Sequence, residues 1–212
     1  MTVALFVLTG LLAVVDWVAV VRGRHQLELI AKPLTLVSLI IAAGLSDLGP
    51  AKPWVLAALV FGLVGDIALM FAEHGAADAP FMLGLGSFLL GHVAYLVAFT
   101  RHGLHVWQIL AGALVAVGVA ALVTPRVLRS ARHTGGPALA AAVGGYGLAL
   151  AAMTTLGFGT AAIATAIGAL LFLFSDATLA WDRFVRPLLR GPVIVIVTYH
   201  LAQVLIVIGL IR

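Results

Sequence analysis

Apolar runs of about 18–22 residues follow one another along almost the whole chain, separated by short clusters of Pro, Gly and charged residues. Coiled as an α-helix, a run of that length matches the roughly 30 Å hydrocarbon core of a bilayer. None of the runs shows the period-two alternation of a barrel strand, so backbone hydrogen bonds must be satisfied within helices. Composition agrees, with 63% hydrophobic and 9% charged residues and a mean hydropathy of +1.20, whereas a soluble domain carries roughly 25% charged residues. The expected fold is an all-α integral membrane protein, one transmembrane helical domain over residues 1–212 built as a single bundle of about eight helices.

Helices are expected near 2–21, 30–46, 53–72, 80–100, 105–123, 136–155, 157–180 and 191–211, with ends fixed only to about 2–4 residues. Pro33, Pro53, Pro80, Pro137 and Pro192 fall at predicted first turns, where the missing N–H costs nothing. The first run carries Asp16 and Trp17 and lacks a basic leader region or an evident cleavage site, so it reads as a retained helix. With no cysteine, thiolate catalysis, disulfides and zinc–thiolate sites are excluded.

A net charge of +4 does not indicate a nucleic-acid surface, because the basic residues sit between apolar runs and report topology instead. One set of alternate loops holds Arg22, Arg24, Lys32, Arg126, Arg129, Arg132, Arg183, Arg186 and Arg190, while the other holds Lys52, Arg101 and Arg212. The positive-inside rule then places both termini outside. The loop around Glu73, His74 and Asp78 is assigned inside without a basic residue of its own. Arg-rich basic usage and abundant Ala, Val, Leu and Gly point to a bacterial chain, hence a plasma membrane location.

Ionisable groups within a bilayer cost several kcal/mol unless they snorkel, pair or line an aqueous cavity, so they are candidate sites. Asp16, Asp66 and Asp176 fall in the later halves of the first, third and seventh predicted helices, which descend in the same direction, and Lys32 begins the second at that same side. Four groups from four helices should therefore share one layer, in the cytoplasmic half. Asp66 is too deep to snorkel on its short stem. Asp176 lies nearer a helix end, Lys32 also reads as an interfacial cation, and Asp16 beside Trp17 reads as an ordinary interfacial pairing.

His92 shares a helical face with Ser87, Gly91 and Tyr95 and reads equally as a packing residue or a proton shuttle. Tyr199 and Gln203 face one way, as interhelical glue or as site groups, and His200 points about 100° away from Tyr199. Gly62 with Gly65 and Gly84 with Gly91 read as close-approach positions. Gly65-Asp66 and Ser175-Asp176, each followed by a helix with His and Tyr near its middle, hint at a parallel duplication. A phosphate-binding Gly-rich loop, a His-Glu-x-x-His pair and a G-x-S-x-G elbow are all missing. The histidines His25, His74, His92, His102, His105, His133 and His200 lie mostly in loops, and a zinc site from His92 and His200 lacks a third ligand.

Taken in order, Lys32-Pro33, Gly65-Asp66, Gly84 through Phe88, His92 to Tyr95, Gly168-Ala169 through Phe172 and Phe174, Ser175-Asp176 with Leu179-Ala180, and Thr198-Tyr199 with Ala202-Gln203 resemble the YhhN family, the lysoplasmalogenases. The similarity runs from Lys32 to about Gln203, and His200 stands where the family pattern has a second Tyr. The resemblance implies a membrane lipid hydrolase that cleaves the vinyl-ether bond of lysoplasmenylethanolamine or lysoplasmenylcholine to a fatty aldehyde and a glycerophospho-base. It also implies that Asp66 and Asp176 are the acid and base, in either order. Lys32 would tune one of them or meet the substrate phosphate. His92, Tyr95, Tyr199 and Gln203 would position water or the glycerol hydroxyl, with Ser175 in support. The implied site uses no metal or other cofactor, and its only partners are a lysophospholipid and the bilayer.

Two other classes fit the same residues. In a proton- or cation-coupled transporter the buried aspartates would be relay points, which calls for a polar path on both sides of the membrane. A metal-dependent lipid amidase of the ceramidase type would need a ligand cluster. The crowding of acidic groups on one side favours a one-sided pocket.

Overall fold

The computed structural model describes residues 2–72 and 78–212, so Glu73 and His74 lie outside the described residues. Among the described residues seven helices are long and apolar enough to cross a membrane, and the chain is an integral membrane protein. They are α1 (Thr2–Val21), α2 (His25–Leu45), α3 (Lys52–Met70), α4 (Ala79–His102), α5 (Val106–Gly159), α6 (Ile163–Ala180) and α7 (Gly191–Leu210). A 3₁₀ turn, Gly49–Ala51, leads into α3, and a π turn, Trp181–Val185, continues α6.

At 54 residues α5 is far longer than one crossing requires. It is a hairpin: Gly135 (φ −134°, ψ 18°) and Gly136 (φ 74°, ψ −170°) leave helical space, and only glycine takes the latter without strain. The two apolar arms fold back on each other. The His105 N–H donates to the Gly159 carbonyl over 2.8 Å. At Gly112 a Cβ would stand 2.7 Å from Phe158 and 2.9 Å from the Thr155 carbonyl. The eight expected passes are therefore close to the seven helices found, one being doubled.

Three boundaries differ most from expectation, and the first is the start of α6, which lies at Ile163 rather than near 157. The segment after residue 123 is helical rather than a loop, because it is amphipathic: Val127 and Ala131 are buried beside Leu139 and Phe184, while Arg126, Arg129 and Arg132 stay exposed. In addition, α2 begins at His25, so Pro33 lies inside the helix rather than in its first turn. That earlier start places Glu28 one turn before Lys32 on the same face.

Small residues set how closely the helices approach. A Cβ at Gly65 would reach 2.6 Å from Phe88, and one at Gly84 2.8 Å from Leu69, so the expected close-approach glycines join α3 to α4. Gly168 does the same for α6 on α7, where a Cβ would lie 2.8 Å from the Ala202 carbonyl. At one end of the bundle the Arg212 N–H donates to the Asp47 carbonyl over 3.0 Å, next to the α4–α5 and α5–α6 turns. At the other end lie the C-terminus of α1, the N-terminus of α2, the α5 hairpin tip and the π turn, where the Ser130 hydroxyl bonds the Phe184 carbonyl. The nine basic residues counted together in the sequence all belong to this second end.

Gly168→Leu should therefore force α6 from α7 and lower stability by about 1–3 kcal/mol. Gly86→Leu, where an added Cβ meets nothing within 4 Å, should leave it unchanged. Thermal unfolding of the two variants in detergent reads the difference.

Candidate active site

Asp66 lies four turns into α3 and Asp176 just over three turns into α6, and the glycine-lined contacts of both helices turn them toward one cavity. The cavity opens at the basic end of the bundle. Its polar wall is formed by Glu28 and Lys32 of α2, Asp66, Ser175, Asp176 and Tyr199, with Asp182 and Arg183 of the π turn at the mouth. Asp66 and Asp176 are 6% and 9% exposed, which leaves each carboxyl a narrow contact with the cavity and little other access to water.

Lys32 is the cation of this cavity. Its ammonium donates to Glu28 Oε1 over 2.8 Å and interacts through charge with Asp66 and Asp16. The expected convergence of Asp16, Lys32, Asp66 and Asp176 on one layer is observed, since Asp66 is also within electrostatic reach of Asp16 and Asp176.

A hydrogen-bonded chain stands behind Asp66. Tyr95 of α4 donates its hydroxyl to Gln203 Oε1, and Gln203 Nε2 donates over 3.1 Å to the Tyr199 hydroxyl, which interacts through charge with the Asp66 carboxyl. Gly62 makes the arrangement possible: a Cβ there would stand 2.9 Å from the Tyr199 oxygen. The Tyr199 ring is wedged edge-on between Phe88 and Phe172 at centroid distances of 5.8 and 5.4 Å. Asp66 Oδ2 is buried without a hydrogen-bond partner among the described residues. Tyr95 and Gln203, both 1% exposed, support the site from behind its wall.

Asp176 is held differently. Tyr146, on the second arm of α5, donates its hydroxyl to Asp176 Oδ2, and His92 Nε2 stands 3.7 Å from the same oxygen, beyond hydrogen-bond reach. The His92 ring packs edge-on against Tyr146 and Phe172, and neither of its nitrogens has a hydrogen-bond partner among the described residues. It is 1% exposed and stands behind Asp176. Ser175 lines the cavity, but its hydroxyl donates to the Val195 carbonyl over 3.0 Å, which ties α6 to α7.

The interfacial reading of Asp16 is corrected: it is fully buried, and neither carboxyl oxygen has a hydrogen-bond partner. Trp17 donates instead to His200 Nδ1 over 3.2 Å. His200 thus turns toward α1 while Tyr199 faces the cavity, the divergence expected of adjacent helical positions. Sequence reasoning missed Glu28 and Tyr146. Glu28 carried a signal, its i,i+4 spacing from Lys32, while nothing in the pattern around Tyr146 distinguishes it from lipid-facing residues of the same arm. Among the described residues no group of three or more His, Asp or Glu is placed to hold a metal ion.

This arrangement offers two separately placed carboxyls with the cations Lys32 and Arg183 along one cavity, which suits acid–base chemistry. Comparison with known proteins points the same way. The chain is 37% identical over 178 residues to the protein named Lysoplasmalogenase TMEM86B of Sus scrofa, covering 84% of this chain and 72% of that protein. Against the Homo sapiens protein of the same name it is 33% identical over 155 residues, 73% of this chain and 62% of the human one. Lysoplasmalogenase TMEM86A of Bos taurus is 28% identical over 160 residues, 74% of this chain and 65% of that protein. No solved structure matches. The YhhN family matches residues 27–210, from α2 through the end of α7 and including every residue of the carboxyl pair and its hydrogen-bonded supports, and the chain belongs to that family.

Proposed function

We propose that the protein hydrolyses the vinyl-ether bond of lysoplasmalogens, releasing a fatty aldehyde and a glycerophospho-base, with Asp66 and Asp176 as the acid–base pair. The observation that carries this reading is the pair of buried carboxyls lining one cavity, Asp176 hydrogen-bonded by Tyr146 and Asp66 beside Lys32 and Tyr199. The names of its relatives support the choice of substrate.

A vinyl ether reacts with water once its β-carbon is protonated, because the resulting oxocarbenium ion is open to attack. One acid and one nearby anion are needed, much as in glycosidases. Lys32 serves as counter-ion for Asp66, so we assign the carboxylate to Asp66 and the transferable proton to Asp176. Asp176 protonates the β-carbon; Asp66 faces the cation and takes a proton from the water that attacks it, giving a hemiacetal. In the collapse, Asp66 returns that proton to the departing glycerol oxygen and Asp176 recovers one from the hemiacetal hydroxyl. Both carboxyls end in their starting states, with one water consumed. Tyr199, fixed through Gln203 and Tyr95, orients Asp66, while Tyr146 and His92 orient Asp176. Lys32 and Arg183 lie where the phosphate of the head group would enter. By the positive-inside rule the basic end faces the cytoplasm, which puts both termini outside and the site in the cytoplasmic half of a bacterial plasma membrane.

Asp66→Asn and Asp176→Asn should each reduce aldehyde release by about 10²–10⁴-fold without lowering the unfolding temperature; full activity in either variant would falsify the pair. Gln203→Leu removes two neutral hydrogen bonds, one from Tyr95 and one to Tyr199; the one that positions the Tyr199 hydroxyl is worth about 1 kcal/mol, so kcat should fall roughly fivefold to tenfold. Steady-state kinetics should show that loss in kcat with KM little changed.

A further inference from the structure

Beside the polar cavity lies a second, apolar chamber, walled by α6 and the two arms of α5 with residues of α3 and α4, and the two spaces adjoin: Leu69, Phe81, Phe88, Asp176, Leu179 and Arg183 line both. Asp176 therefore stands at the junction, with charge on one side of it and hydrocarbon on the other. The hairpin wall is hollowed by small residues, Ala116 and Ala120 on the first arm and Gly147 and Ala151 on the second. Gly147 differs in kind from the glycines that close the bundle. A Cβ at Gly112 of the same hairpin would meet Phe158 at 2.7 Å, whereas one at Gly147 meets nothing within 4 Å. The arms touch at Gly112 and part at Gly147.

We propose that this chamber binds the hydrocarbon chain of the substrate, and that the missing side chain at Gly147 sets how long a chain it accepts. The identification of the occupant rests on the vinyl-ether reading above. In a lysoplasmalogen the carbon to be protonated has the glycerophospho group on one side and an unbranched alkyl chain on the other. With that carbon at Asp176 and the head group among Lys32 and Glu28, the chain has one direction left, into the apolar chamber. Apolar walls there exclude water from the chain and add binding free energy with each methylene buried.

The test compares kcat/KM for lysoplasmalogens with 18-carbon and 10-carbon alkenyl chains. In Gly147→Leu the ratio of long to short should fall by about tenfold or more, since each lost methylene contact is worth roughly fourfold. Gly118→Leu, on the exposed side of the first arm, where an added Cβ also meets nothing within 4 Å, should keep the wild-type ratio. An unchanged ratio in Gly147→Leu overturns the proposal. A second measurement needs neither a variant nor turnover: the wild-type protein is photolabelled with a saturated alkyl-ether lysophospholipid carrying a diazirine in its chain. Adducts should map to 116–128, 143–151 or 173–184, and adducts confined to residues outside the chamber lining overturn the proposal. If the wild-type protein releases no aldehyde, the hydrolase reading fails, while the adduct map still decides what the chamber holds.

Discussion

A carboxyl within a bilayer-spanning bundle is tolerable only when its oxygens find donors, a counter-charge or a wet cavity, and the placement of Asp66 and Asp176 organises much of the interior around that requirement. Asp66 draws on three helices besides its own: the ammonium of Lys32 from α2, the Tyr199 hydroxyl from α7 and, through Gln203, the Tyr95 hydroxyl from α4. Asp176 draws on Tyr146 from α5 and stands against His92 from α4. These contacts demand short interhelical distances, and the glycines supply them. Gly62 leaves room for the Tyr199 oxygen, Gly65 for Phe88, and Gly168 for the backbone of α7. Replacing either aspartate by an apolar residue would remove the reason for half of these polar contacts while leaving their own polar groups buried.

The two halves of the site exchange partners. The helix that follows α3 supplies His92 to the aspartate of α6, and the helix that follows α6 supplies Tyr199 to the aspartate of α3. Each carboxyl is thus approached by the helix pair that does not carry it, although the hydrogen bond that holds Asp176 comes from Tyr146 of α5. Separation of the pairs would expose both at once, which couples the integrity of the site to closure of the bundle. The asymmetry lies in the charges: Lys32 and Glu28 stand on the Asp66 side, and the apolar chamber lies on the Asp176 side.

Much of this was legible in the sequence because lipid imposes a simple code. Helix class, the sidedness of the basic residues and the depth of Asp66 follow from run length and charge spacing alone. The glycines were readable as contacts, though not their partners. Two kinds of information were not legible. Continuation of α5 past residue 123 depends on burial of Val127 and Ala131 against Phe184, a tertiary contact that overrides a stretch rich in Arg and containing Pro125. The role of Tyr146 depends on which way one arm of a hairpin faces, and a tyrosine among Ala, Leu and Gly carries no local mark of it. Asp16 misled for the opposite reason. Its neighbour Trp17 has a belt-like signature, but that indole is committed to His200 and the carboxyl is buried.

The central claim is that this pair of carboxyls protonates carbon rather than activating water against an ester. It is tested most directly by incubating the purified protein with a lysoplasmalogen and with the matching ester lysophospholipid, while aldehyde and fatty acid are quantified separately. Protonation of carbon by this pair gives fatty aldehyde from the vinyl ether and no fatty acid from the ester. Fatty acid from the ester, or no product from either lipid, would contradict it.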